Sequence, residues 1–198
     1  VWERVWRIFI RRLDKKGQID WAEVFMDGTF VSAKKGAQKS ENEEGKGSKL
    51  MVVADGRSIP LGVSVASASP HEVTLIEKTI DQLGKTPEHL VGDKAYDSDA
   101  FRARLKERGI ELVAPPRRNK RIKLQDGRAL RRYKRRWKIE RTNAWFGNYR
   151  RLVTRWERND RMYQAFLHIA CALIIATTYE TASKNILKRT RFIFWHAH

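Results

Sequence analysis

The sequence predicts an α/β protein built on one mixed sheet, with helices on both faces of that sheet. Three apolar segments rich in β-branched residues come first, and short polar connections suit antiparallel pairing between them. Helical and extended segments then alternate to the end of the chain, a pattern typical of parallel strands joined by helices. The chain has 198 residues, 41% of them hydrophobic, which is enough for one domain with a substantial core.

The first half of the chain is predicted to form one helix and three strands. Residues 1–13 have an amphipathic pattern in which Val5, Ile8 and Phe9 are expected to pack on the core. The three strands are predicted at residues 24–31, 49–54 and 59–66. The connection at 55–58 is short enough to make the last two strands a hairpin.

The second half is predicted to alternate between helices and strands. The helices are predicted at residues 69–83, 97–108, 129–148 and 161–181, and the strands at 89–92 and 110–114. Either Asp97 or Ser98 is expected to cap the second of these helices. The last helix is strongly apolar, but its apolar run contains Gln164 and His168 and is short for a hydrocarbon core of about 30 Å. We expect it to pack on the sheet, and we expect no membrane segment.

Positive charge is concentrated in one part of the chain. The sequence has 41 Lys and Arg residues against 23 Asp and Glu residues, a formal net charge of +18. Residues 102–161 contain 22 of the basic and 6 of the acidic residues, so +16 of that charge lies in this segment. Such asymmetry indicates a polyanionic partner, most often nucleic acid. An anionic membrane surface is the alternative, although it would not require the acidic positions described next.

The cysteine content indicates the cellular compartment in which the protein is expected. The single cysteine, Cys171, excludes a disulfide framework and a cysteine-based zinc cluster. A reducing, cytoplasmic setting is therefore expected. The sequence begins at Val1, and no charged start followed by an apolar stretch and a cleavage site is found, so no signal peptide is predicted.

Three acidic residues interrupt patterns that otherwise require apolar side chains. Asp27 lies within the first predicted strand, where an unpaired buried carboxylate is strongly unfavourable. Asp93 follows a strand at its carboxyl end, where sites form in open α/β sheets. Glu140 is predicted on the sheet-facing side of the helix over 129–148. The other members of that face are Leu130, Tyr133, Trp137, Ala144 and Gly147.

Each acid also has a structural alternative. Asp27 suits a strand bulge, Asp93 suits a helix cap, and Glu140 suits an ion pair with Arg136 one turn earlier. Taken together, the three carboxylates can converge on two Mg²⁺ ions, since this cation prefers oxygen ligands. Two ions about 4 Å apart would activate a water or a 3′-hydroxyl and stabilise the leaving oxygen of a phosphodiester.

The segments that contain these acids resemble the three acidic blocks of DDE transposases, most nearly those of the bacterial insertion-sequence-five family. The segments are Phe25–Thr29, Val91–Ser98 and Arg136–Phe146, with 66 and 47 residues between successive acids. The resemblance extends from about Trp21 to Thr178 and implies an RNase H-like catalytic core. It also implies that Asp27, Asp93 and Glu140 bind two Mg²⁺ ions, for which Mn²⁺ can substitute.

The same resemblance implies cleavage at insertion-sequence ends and joining of the 3′-hydroxyls to target DNA. The expected partner is double-stranded DNA, and the expected active complex is a cytoplasmic, nucleoid-associated homodimer. The expected DNA contacts are Arg117, Arg118, Lys120, Arg121, Tyr133, Arg136, Arg150 and Arg151. Tyr133, Arg136 and Glu140 match a wider signature around the family's glutamate. Gly147 stands at the lysine position of that signature, where Arg150 and Arg151 could substitute.

Family members carry a helical DNA-binding region before the first acidic block, whereas only 26 residues precede Asp27 here. We therefore expect residues 1–20 to be a remnant of that region, residues 21–182 to be the catalytic domain and residues 183–198 to be a basic, aromatic tail. Two alternatives are another RNase H-like nuclease and a truncated, catalytically silent DNA-binding derivative. Trp137 and Trp145 are expected in the core between helix and sheet.

Overall fold

A computed structural model describes the backbone of residues 1–34, 41–42, 45–67, 70–117, 127 and 129–195, with side chains except at 41–46, 129 and 179–195. The helices are α1 (Trp2–Lys15), α2 (Glu72–Ile80), α3 (Asp99–Glu107), α4 (Trp137–Gly147), α5 (Arg150–Val153) and α6 (Asp160–Trp195). The strands are β1 (Glu23–Ser32), β2 (Glu41–Asn42), β3 (Gly45–Asp55), β4 (Pro60–Ser67), β5 (His89–Val91) and β6 (Glu111–Val113). Short 3₁₀ helices cover Lys94–Tyr96 and Ala129–Arg135.

One mixed sheet organises these elements. Its main strands lie in the order β4-β3-β1-β5-β6, and the short β2 pairs with the beginning of β3. β3 is antiparallel to both β1 and β4, whereas β1, β5 and β6 are mutually parallel. β1 is therefore a central strand with an antiparallel neighbour on one side and a parallel neighbour on the other. This topology confirms the predicted mixed sheet.

Helices cover both faces of the sheet, as predicted. Successive residues of a strand point to opposite faces. Asp27 of β1 contacts Arg136 and Asn143, which belong to the start and the body of α4. The neighbouring Gly28 faces α2, because a Cβ at this glycine would meet the Glu72 carboxyl group. α2 and α4 therefore lie on opposite sides of β1.

The first helix packs into the same core through a face that partly matches the predicted one, because Val5 and Phe9 pack partly buried against the core but Ile8 does not. Trp6, Ile10 and Leu13 are buried, whereas Ile8 is exposed. Trp6 decides this orientation, because its indole N–H donates to a β4 carbonyl at 3.1 Å and its ring stacks on His168 of α6. A buried indole needs such a hydrogen-bond partner, a constraint that apolar periodicity does not contain.

The last helix continues to Trp195, beyond the predicted end at Thr181. No Gly or Pro occurs after its start, so the sequence has no strong helix-ending residue in this segment. The portion Asp160–Thr178 is long and apolar enough to span a membrane by length and composition. This portion instead packs on α1 and β4, with Leu167 and Cys171 buried, as expected for a core helix.

The segment predicted as one helix over residues 129–148 is divided into a 3₁₀ helix and α4, with Arg136 between them. The buried side chains of α4 are Ile139, Thr142 and Phe146. The predicted buried face is therefore wrong: Glu140 and Trp137 are exposed. Thr142 fixes the rotation of α4, because its buried hydroxyl donates to the carbonyl of Ser58 at 2.9 Å.

Candidate active site

Asp27 and Asp93 lie on adjacent chain segments where β5 ends beside the middle of β1. The parallel pairing of β1 with β5 stops two residues before each aspartate, and its continuation sets the two aspartates opposite each other. Gly92 permits this close approach, because a Cβ at Gly92 would come within 2.6 Å of Met26 Cε. The fold thus brings together two of the three predicted acids.

The Asp27 carboxylate is largely buried and has two side-chain donors. Arg136 Nη2 lies 2.8 Å from Oδ1, and Asn143 Nδ2 lies 2.9 Å from Oδ2. Burial raises the pKa of Asp27 above its usual value, the Arg136 guanidinium opposes that rise, and the nearby Asp93 adds to it. Two neighbouring carboxylates, one of them largely buried, favour a cation between them.

Asp93 belongs to a turn that other residues hold in place. Its Oδ1 accepts a hydrogen bond from the backbone N–H of Ala95 at 2.7 Å, which caps the 3₁₀ helix. Arg117 fastens the same turn, because its guanidinium donates to the carbonyls of Lys94 and Ala95 at 3.3 and 2.6 Å. Arg117, which the sequence predicts as a DNA contact, thus supports the position of Asp93.

The α3 cap is Ser98, not Asp97. Ser98 Oγ accepts a hydrogen bond from the backbone N–H of Phe101 at 3.4 Å. Asp97 is buried, accepts from Arg102 Nη2 at 3.1 Å, and accepts from the backbone N–H of Arg117 at 3.0 Å. Asp97 therefore joins the Asp93 turn to α3 and to the segment after β6.

Glu140 lies apart from this pair of aspartates. Its side chain is 61% exposed, and its Oε1 lies 3.9 Å from Arg136 Nη1. Arg136 therefore stands between Asp27 and Glu140, and the ion-pair alternative for Glu140 is confirmed. Among the described residues, no three His, Cys, Asp or Glu side chains are close enough to share a metal ion. The oxygen donors of Asp27 and Asp93 fit a divalent cation, whereas Glu140 does not complete the set in this arrangement.

A fourth acid, Glu72, lies beside the two aspartates, and the sequence pattern does not single it out. It is the first residue of α2, and a Cβ at Gly28 would come within 2.8 Å of its Cδ. Burial raises the pKa of Glu72, the nearby Tyr96 hydroxyl lowers it, and Asp93 and Asp27 raise it further. The sequence feature that could have indicated Glu72 is its position as an acid at the start of a helix, shortly after the third long strand.

The remaining predicted DNA contacts have different surroundings. Arg150 is exposed on α5, Arg151 pairs with Glu157 at 3.0 Å, and Tyr133 packs partly buried against the core. Arg118, Lys120 and Arg121 lie outside the described residues.

Several basic side chains at the start of α4 have acidic partners. The buried Glu23 pairs with Arg135, with Arg132 at 3.3 Å and with Lys138 at 3.9 Å. This cluster attaches the 3₁₀ helix and the start of α4 to the beginning of β1. Part of the positive charge in residues 102–161 therefore has a structural role.

Two aromatic residues of α4 flank one guanidinium. Arg141 Cζ lies 5.0 Å from the centroid of Trp137 and 5.2 Å from that of Trp145. Trp145 is partly buried against the core, whereas Trp137 is exposed, so the predicted core position of Trp137 is wrong.

Comparison with known proteins connects this geometry to a family. Residues 22–175 match the family described as "Transposase DDE domain". A protein of Burkholderia cepacia named as a transposase for insertion sequence element IS402 is 33% identical over 150 residues, which are 71% of this chain and 68% of that protein.

The fold is similar to that of piggyBac transposase in a synaptic complex with hairpin DNA. The TM-score is 0.56 at 11% identity, over 83% of this chain. The present chain matches 48% of the piggyBac chain, about half of its length. At this identity the likeness shows a shared fold.

Proposed function

The chain belongs to the transposase DDE domain family, and from this premise we propose that it cuts DNA at insertion-sequence ends and joins the ends to target DNA. The observation that carries the proposal is the Asp27–Asp93 pair, which the register of two parallel strands sets side by side. Asp27 of this pair contacts Arg136, which lies one helical turn before Glu140 in the sequence. One guanidinium, that of Arg136, therefore connects Asp27 with Glu140.

Asp27, Asp93 and Glu140 are proposed to hold two divalent ions, Mg²⁺ or Mn²⁺, and for Glu140 this requires its side chain to leave its ion pair with Arg136. When bound, such ions activate a water or a 3′-hydroxyl and stabilise the leaving oxygen of a phosphodiester. The chain's own residues prepare the carboxylates for this role. Asn143 orients Asp27 through Oδ2, and Arg136 neutralises the same carboxylate through Oδ1.

The proposed substrate is double-stranded DNA, both insertion-sequence ends and target. The support is the net charge of +18 and its concentration in residues 102–161. Because Arg117 and Arg151 have intramolecular partners, the exposed Arg150 is the best-placed phosphate contact among the described predicted residues. We further propose a homodimer as the active complex, located in the cytoplasm at the nucleoid.

Cleavage and strand joining of a labelled duplex that carries the element ends, in the presence of Mg²⁺, test this function. Asp27→Asn, Asp93→Asn and Glu140→Gln should each abolish cleavage and preserve cooperative unfolding. The matched control is Asp81→Asn, which removes an exposed acid paired with Arg108 on another surface and should retain activity. Cleavage that persists in Glu140→Gln would restrict Glu140 to its ion pair.

The two alternative functions give different results in the same experiment. A duplex with a pre-cut 3′-hydroxyl end tests strand joining separately from cleavage. Cleavage without joining would identify a nuclease of the same fold. DNA binding without either reaction would identify a catalytically silent derivative.

A further inference from the structure

A second concave surface lies away from the aspartates, beside the far end of β1. It has a volume of 330 Å³ and is lined by Arg150, Arg151 and Trp156. We call it the Trp156 pocket. The segment that contains Trp156 joins β1 at a bridge between Ala33 and Arg155. Six residues of extended chain from Asp27 to Ala33 span about 20 Å, so this pocket is separate from the candidate active site.

The exposed indole is the unusual feature of the pocket. Trp156 is 51% exposed, although tryptophan is highly buried on average. Its position does not result from loose packing, because the preceding Arg155 is buried and firmly held. The backbone N–H of Arg155 donates to Ser32 at 2.9 Å, and its guanidinium donates to Ser48 and to two loop carbonyls. The indole is therefore presented by a rigid segment.

Cationic groups surround this indole. Lys34 Nζ lies 5.4 Å from the ring centroid of Trp156. Arg151 pairs with Glu157 at 3.0 Å, and the second carboxylate oxygen of Glu157 accepts from the backbone N–H of Trp156 at 3.2 Å. Arg150 is exposed and has no hydrogen bond or ion pair among the described residues. The pocket thus combines an open aromatic surface with an uncompensated positive charge.

We propose that the Trp156 pocket binds one unpaired nucleotide of a DNA strand. The base stacks on the indole, and Arg150 holds the adjacent phosphate. Aromatic platforms beside cations bind single-stranded nucleic acid in this way, because every base has a stacking surface. A fully paired duplex offers phosphates to Arg150 but no free base face to Trp156. The inference rests on the proposed function, since it takes DNA as the partner.

Equilibrium binding by fluorescence anisotropy at fixed salt tests the pocket. The probes are a single-stranded oligonucleotide, the paired duplex of the same sequence, and deoxyadenosine monophosphate as a competitor. Trp156→Ala should weaken single-strand binding by about 5- to 150-fold and leave duplex binding nearly unchanged. Trp156→Phe should restore most of the loss, because it keeps a stacking surface. Trp2→Ala removes another exposed indole, on α1, and should change neither affinity.

The outcomes separate this inference from the proposed function. Equal loss of single-strand and duplex binding in Trp156→Ala, or no loss of either, would overturn the stacking site. Competition by the mononucleotide at the oligonucleotide's own affinity would overturn the assignment to a DNA strand. Wild-type protein that binds neither form of DNA would refute the proposed function itself. Wild-type protein that binds only duplex would refute the pocket and leave the proposed function standing.

Discussion

Replacing Arg136 with Gln should destabilise the protein at neutral pH and much less at acid pH. Arg136 Nη2 donates to Asp27 Oδ1 at 2.8 Å, and the guanidinium opposes the effect of burial on the carboxylate. Gln keeps a polar, flexible side chain, although a shorter one, and removes the charge. The pKa of Asp27, already above its usual value of 3.8, should therefore rise further.

The size of this effect follows from the burial of the pair. The side chains of Arg136 and Asp27 are 21% and 17% exposed, so the pair lies between a surface ion pair and a fully buried one. Surface pairs contribute about 0–1 kcal/mol, and hydrogen bonds to charged groups about 1.5–3 kcal/mol. A loss of about 1–3 kcal/mol at pH 7 is therefore expected, together with a further rise in the pKa of Asp27.

The sign of the pH dependence follows from proton linkage. Because the pKa of Asp27 is raised by folding, the folded state holds its proton more tightly than the unfolded state. Ionisation of this group therefore lowers the free energy of unfolding as pH rises above 3.8. Arg136→Gln raises the pKa of Asp27 in the folded state, so the free energy of unfolding continues to fall up to a higher pH. The extra loss is complete at pH values above the new pKa and absent below 3.8.

Urea unfolding at pH 7 and near pH 4, in the single variants and in the double variant with Asp27→Asn, measures this coupling. The effect of Arg136→Gln should largely disappear when Asp27 is already Asn. Arg108→Gln, which breaks an exposed pair with Asp81 at 2.9 Å, is the control and should change stability little. An equal loss at both pH values, or an undiminished loss in the Asp27→Asn background, would refute the electrostatic reasoning.

Three further predictions concern DNA affinity and stability. If about 6–10 phosphates are contacted, duplex affinity should fall about 10³–10⁵-fold between about 50 and 200 mM salt in an anisotropy titration; a flat response would contradict a phosphate-binding surface. Arg155→Ala should lower the free energy of unfolding by about 3–5 kcal/mol and Tm by about 6–20 °C in a thermal melt, because it leaves Ser48 and Asp160 without their buried partner. An unchanged Tm would show that the guanidinium contacts are dispensable. Glu72→Gln should keep or raise Tm at pH 7 and lose any gain near pH 4, since folding raises the pKa of Glu72; a fall in Tm at both pH values would assign Glu72 a structural role.

The central part of the fold was predictable because its signals are local. The long strand runs, the hairpin connection at 55–58 and the alternation after residue 70 each follow from composition within a few residues. The proximity of Asp27 and Asp93 was also within reach, because both acids stand where apolar side chains are expected, and the carboxyl end of β5, which Asp93 follows, lies beside the middle of the parallel β1. Predicting these features requires only local patterns, namely an apolar run for each strand and a helical pattern after it.

The remaining features depend on contacts between distant segments. The rotation of α4 is set by the hydrogen bond from Thr142 to Ser58, and Trp6 is oriented by a β4 carbonyl and by His168. None of these partners can be predicted from the apolar periodicity of α4 or of α1. Glu140 is the instructive case: the sequence predicts it on the buried face as a metal ligand, with an ion pair to Arg136 as the alternative, whereas the structure exposes its side chain and places it 3.9 Å from Arg136.

The pairing of β1 with β5 has a consequence for how this protein can change in evolution. The number of residues between Asp27 and Asp93 matters little, because connecting loops tolerate insertions and deletions. A single residue inserted between Glu23 and Asp27, or between His89 and Asp93, would turn one aspartate to the opposite face of the sheet. Length variation among active relatives should therefore be absent from these two five-residue stretches and accumulate in the connections between them.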